Sequence, residues 1–228
     1  MKLELEINEE NREEVEDFIK KINDVPKEFS RFTIVDKNKD ICNLPAVKFL
    51  DKEFPDKEIM PHYSIQNHYS RKISQVADKF HHYLDKLKNT EVKNLLLISG
   101  PKERSNTSLD LLNFISKSNK QIRNFDIAVA FNPYKRKNLK EEKLRLKSKL
   151  KHDFVTEVYL QIGIEPDKFK QGVEFLRNIR NDVQIKSCLV VPNQTFLSKF
   201  KSRPWKGVNL SKEYLNDLGF AKKKTKEM

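Results

Sequence analysis

Short apolar runs broken by polar loops recur along this chain, and between them lie stretches with apolar residues at helical spacing. Leu3, Leu5 and Ile7 alternate with Glu4 and Glu6, which predicts a short strand with one polar face. A helix follows, with Asn11 and Glu14 at capping-box spacing ahead of Val15, Phe18 and Ile19. Further strands are predicted over 29–35, 58–64, 93–99, 126–131, 154–160 and 188–191. Helices are predicted near 43–54, 70–88, 105–118 and 139–150, and after Pro166. The run Leu95-Leu96-Leu97-Ile98 is continuous, as in a strand buried on both faces. From Phe125 to Gly163, strand, loop, helix and strand fit the size of one βαβ unit, with Asn138 and Glu141 again at capping-box spacing.

Strand and helix alternate about seven times without a two-residue hairpin signal, which implies parallel strands. A doubly wound sheet and a (β/α)8 barrel both satisfy that alternation. As a barrel it would be minimal or incomplete, since typical barrels take about 250 residues and this chain has 228. Residues 206–210 are a poor candidate for an eighth strand. No linker divides the sequence, so residues 1–220 are read as a single α/β domain, followed by a solvated basic tail at 221–228. An incomplete barrel would leave a sheet edge for a homo- or hetero-oligomeric partner or a covering helix.

Composition narrows the class. Hydrophobic residues make up 37% and charged residues 34%, with no apolar run long enough for a membrane span. The acidic N-terminal stretch and the widely spaced Cys42 and Cys188 suggest a cytoplasmic protein with reduced thiols. The net charge of +12 is spread along the chain, apart from the segment opening at Lys135 and closing at Lys151, and the C-terminal lysines. Charge of that kind supports non-specific nucleic-acid binding, so RNA is a candidate partner through 135–151.

No phosphate-binding glycine loop, nucleophile elbow or metal-ligand spacing is present, so no metal is expected. What remains is a set of polar residues at or near the C-terminal ends of predicted strands, where parallel α/β folds build their sites. They are Glu4 or Glu6, Thr33, His62 with Ser64, Ser99 with Gly100, Asn132 and Gln161.

Several of these segments resemble the flavin-linked methylenetetrahydrofolate reductase family. Phe29-Ser30-Arg31-Phe32-Thr33 is similar to its second-strand FVSVT, and Met60-Pro61-His62-Tyr63-Ser64 to its PHLTC. The stretch from Asn94 to Pro101 stands where that family has ILALRGD. The helix around Leu146-Lys147-Ser148-Lys149-Leu150, with the strand ending at Gln161, resembles its LKRKV helix and TQ strand end. The resemblance implies a TIM barrel with FAD across the strand ends, contacted by Thr33, His62, Gly100, Ala130 and Lys149. It implies a folate-like substrate at Gln161, NAD(P)H as hydride donor, and Glu4 or Glu6 as general acid. The chain departs from the family at Ser99-Gly100-Pro101, which lacks the arginine and aspartate of the RGD triplet. The rival expectation is a degenerate barrel without catalysis, binding a partner or RNA as a scaffold.

Overall fold

The computed structural model describes residues 3–8, 12–22, 29–37, 43–99, 106–118 and 125–228. Among these, strands and helices alternate as the hydrophobic pattern predicts: β1 (Leu3–Ile7), α1 (Arg12–Ile22), β2 (Phe29–Ile34), α2 (Leu44–Glu53), β3 (Glu58–Ser64), α3 (Ile73–Leu87), β4 (Asn94–Ile98) and α4 (Ser108–Ser118). Then come β5 (Asp126–Phe131), α5 (Leu139–Lys149), β6 (Val155–Leu160), α6 (Pro166–Ile179), β7 (Gln184–Ser187), α7 (Gln194–Ser202), α8 (Lys212–Asn216) and α9 (Leu218–Lys226).

The strands form one sheet in strictly sequential order, β1 to β7. The β1–β2, β2–β3, β3–β4 and β6–β7 pairs are parallel. Sequential order separates the two architectures left open by the sequence. A doubly wound sheet reverses its strand order at a switch point, whereas a (β/α) barrel adds each strand beside the last. The fold is therefore TIM-barrel-like, with seven strands among the described residues. Residues 206–210 form no strand. No helix among the described residues is long and apolar enough to cross a membrane.

Residue contacts divide the chain into two compact units, 1–128 and 129–228. In the first, alternation sorts the sheet into two faces. Phe32 meets Phe54 edge-on at 5.2 Å, and Tyr63 meets Phe80 and Tyr83 of α3 at 4.9 and 5.2 Å, so these side chains define the face under the helices. The opposite face carries Glu4, Glu6, Arg31, Thr33, Glu58, Met60, His62 and Ser64, with Glu4 opposite Arg31 and Arg31 opposite Glu58 in register. Asn43, at the N-cap of α2, sews the layers together. Its Nδ2 donates to the carbonyls of Ile34 and His62 at 3.2 and 3.0 Å, and its Oδ1 accepts from the Tyr83 hydroxyl at 2.8 Å.

In the second unit, Arg180 pins the turn before β6 by donating to the carbonyls of His152 and Val155 at 3.1 and 2.8 Å. The buried Tyr134 ring lies so close over Gly163 that a Cβ there would stand 2.3 Å from its Cζ. Leu197, Tyr214 and Ala221 form a small C-terminal core, and the Tyr214 hydroxyl lies 2.9 Å from Thr225 Oγ1.

Three expectations change at the level of elements, and a fourth cannot be placed. The seventh strand is Gln184–Ser187 rather than 188–191: its ladder pairs Glu157 with Gln184 and Leu160 with Ser187, and β6 offers no partner beyond Leu160. Residues 221–226 are not a solvated tail, because α9 packs Ala221 into the Tyr214 core while its lysines face out. Asn138 does not cap α5 through its side chain. It adopts φ 60°, the left-handed region that asparagine tolerates better than most residues. The other proposed capping box begins at Asn11, outside the described residues.

Candidate active site

The polar face of the first unit is built in layers. Nearest the start of the strands, Arg31 is only 6% exposed and lies between two carboxylates. Its guanidinium is 3.4 Å from Glu4 and 2.5 Å from Glu58. Glu4 is thereby committed to an ion pair. Glu6, one layer on and beside Thr33 in register, has no such pair among the described residues. Desolvation by neighbouring protein pushes the Glu6 carboxyl upward, opposed by the Lys37 ammonium. The Glu6 side chain stays open to solvent, which limits the effect.

Next come Thr33, His62 and Ser64, exposed by only 4%, 5% and 3%. His62 and Ser64 alternate along β3, and Thr33 stands on the neighbouring strand, so all three point away from the helices. Burial pushes the His62 imidazole down to about 4, against the opposing pull of the Asp36 carboxylate, so the ring is neutral at physiological pH. Among the described residues, no hydrogen bond engages the side chains of Glu6, Thr33, His62 or Ser64.

At the ends of β2 and β3 a second polar cluster braces this set. Asp36 Oδ2 accepts from the Ser64 backbone N–H at 2.7 Å and lies 3.1 Å from His68 Nε2. Asn67 Nδ2 donates to Asp36 Oδ1 and to the Asp36 carbonyl at 3.0 and 2.8 Å. The His68 ring stacks on Tyr63, with centroids 4.2 Å apart. The sequence pattern singles out none of Asp36, Asn67 and His68. The signal available was their position directly after two strand ends.

Ser99, after β4, is engaged with the start of α4: its Oγ accepts from the Ser108 N–H and lies 2.9 Å from Ser108 Oγ. The remaining expected residues belong to the second unit or lie outside the described residues. Ala130 is half-buried on β5, on the face opposite Val129 and Phe131. Gln161 follows β6, and its Oε1 accepts from the adjacent Ile162 N–H at 2.9 Å. Lys149 ends α5, before β6 begins, so Lys149 and Gln161 stand at opposite ends of that strand. Burial lowers the Lys149 ammonium to about 8, with Glu142 opposing and Arg145 reinforcing the shift. Gly100 lies outside the described residues. No group of three or more His, Cys, Asp or Glu suited to a metal occurs among the described residues.

Comparison with known proteins corrects the family reading. No family model matches the sequence, and no curated protein matches it. Among solved structures, the chain is similar to the probable 3-DHS dehydratase AsbF involved in petrobactin synthesis from Bacillus anthracis. The TM-score is 0.53 at 12% identity, covering 88% of this chain and 77% of that one. This likeness carries the barrel-like fold. The structural neighbour is not a flavin-linked reductase, and neither methylenetetrahydrofolate reduction nor the scaffold alternative gains support. The short motifs misled because strand ends in parallel barrels draw on the same few polar residues whatever the chemistry. The flavin, nicotinamide and folate expectations rested on that resemblance and go no further.

Proposed function

We propose that the polar face of the first unit is an acid–base site for a small polar carbonyl compound, and that the reaction is an enolisation leading to isomerisation or loss of water. The observation that carries this reading is the set Glu6, Thr33, His62 and Ser64, on one sheet face at the C-terminal half of the strands, without hydrogen-bond partners among the described residues. Each has a role that its chemistry suits. His62 is neutral, so it donates from one ring nitrogen to a substrate carbonyl oxygen and stabilises the charge that develops there. A base with its affinity for protons so reduced is poorly suited to abstracting one at neutral pH.

Glu6 is the proton carrier. Its carboxylate takes a proton from the carbon next to the carbonyl, leaving an enolate held by His62. The protonated Glu6 then returns the proton to carbon, or gives it to a β-hydroxyl that departs as water. Thr33 and Ser64 orient substrate hydroxyls. Asp36, through the Ser64 backbone and His68, positions the end of β3. The structural neighbour is a probable dehydratase, and loss of water from a carbonyl compound is one outcome of this chemistry. We place the activity in the cytoplasm, where the Cys188 thiol would remain reduced.

Deuterium exchange tests the reading without a known substrate. The protein is incubated in heavy water with a panel of small hydroxy-ketones, hydroxy-aldehydes and keto acids, and label at the carbon beside the carbonyl is followed by NMR. Exchange by wild type should fall at least about 100-fold in Glu6→Gln and in His62→Gln, with Glu4→Gln retaining more. An absence of exchange across the panel, or exchange as fast as wild type in Glu6→Gln or His62→Gln, would overturn it.

A further inference from the structure

A groove of about 510 Å3 runs between α5 and α6, lined by Leu139, Lys140, Lys143, Leu144, Lys147 and Phe175. We propose that it is a docking site for an acidic amphipathic helix of a partner protein. Its floor is apolar: Leu144 is 58% exposed, and the Phe175 ring lies beneath the Lys143 ammonium, 4.7 Å from its centroid. A single exposed leucine is ordinary, so the floor alone decides nothing. The charge around it does.

Charges on and beside α5 are sorted. Lys135 and Arg145 both reach Glu142, at 3.1 and 3.4 Å, and Arg145 also reaches Glu141 at 3.7 Å. Lys140, Lys143 and Lys147 have no carboxylate partner among the described residues, and all three line the groove. Every acidic side chain of α5 is therefore spent away from the groove, leaving the lip purely cationic. An apolar strip flanked by unpaired ammonium groups complements a helix with an apolar stripe and carboxylates on either side. At 1.5 Å per residue the 11 residues of α5 span about 16 Å, enough for roughly three turns of a partner lying along it. Lysine stems supply apolar wall as well as charge.

The test uses the full chain and a fluorescein-labelled peptide of about 12 residues, designed with leucines at i, i+3 and i+7 and glutamates beside them. Anisotropy should report saturable binding that weakens between about 50 and 200 mM salt. Leu144→Asp, and separately the combined Lys140→Glu, Lys143→Glu and Lys147→Glu, should each weaken it at least about tenfold. Lys143→Arg should bind like wild type, and circular dichroism of each variant establishes that it is folded. A scrambled peptide of equal composition, lacking one apolar face, should bind at least about tenfold more weakly. Three results would each sink the proposal: no binding by wild type, equal binding of the scrambled peptide, or displacement of the peptide by single-stranded RNA at lower concentration than by unlabelled peptide.

Discussion

His62 sets a pH dependence that a surface histidine would not. Its folded value is lowered from 6.5 to about 4, so the unfolded chain takes up a proton in a range where the folded chain resists one. The contribution is fully present above about pH 6.5, falls away as pH drops through the window, and is lost by about pH 4. The span corresponds to roughly 3 kcal/mol. Urea midpoints measured from pH 7 to 4.5 should fall more steeply for wild type than for His62→Gln, and parallel curves would show that the imidazole is not desolvated. Gly163 makes a second case at this scale. With Tyr134 only 1% exposed and its ring over the backbone, Gly163→Ala forces a buried ring to move and should cost about 1–3 kcal/mol. Trimming the ring in Gly163→Ala/Tyr134→Leu should make the added methyl cheaper than it is in wild type, as a thermodynamic cycle of the four proteins would read.

Among elements, β1, β2 and β3 are joined through side chains as well as backbone. Arg31 takes the central place between Glu4 and Glu58, and Arg31→Leu removes the guanidinium from the largely buried Glu4, while the half-exposed Glu58 regains water. The expected loss is about 2–4 kcal/mol, below that of a fully buried pair because one carboxylate is open to solvent. Adding Glu4→Leu should recover part of that loss in chemical denaturation. If the single variant is as stable as wild type, the ladder contributes nothing. How legible the elements were follows from what fixes them. β3 was predicted with its observed bounds because Pro55 and a polar loop enclose an apolar run. β7 was misplaced because a four-residue strand is defined by its partner's length rather than by its own hydrophobicity. The lysine run of α9 reads as solvent-facing, and it is, but the turn that buries Ala221 depends on Tyr214, which no local pattern announces.

At the scale of the molecule, alternation alone implied a parallel α/β fold, and the sequential strand order decided between its two forms. The site was legible to the same depth. Thr33, His62 and Ser64 could be placed on one face from the period of two. Choosing Glu6 over Glu4 required knowing that Arg31 reaches Glu4. The brace of Asp36 with Asn67 and His68 joins positions about 30 residues apart through side chains, and nothing in either segment points to the other. Family likeness read from short motifs went furthest astray, since it extended polar strand ends into a cofactor and a reaction.

The sequential strand order also bears on how the chain reaches its fold. Leu3 pairs with Phe29, Arg31 with Glu58, His62 with Leu96 and Glu157 with Gln184, so each new strand needs only the one made on the order of 30 residues earlier. A doubly wound sheet must hold its first strand ready until chain from both sides has been made. Here every crossover can close in the order in which it leaves the ribosome, at about 5–20 residues per second, while the next is still being synthesised.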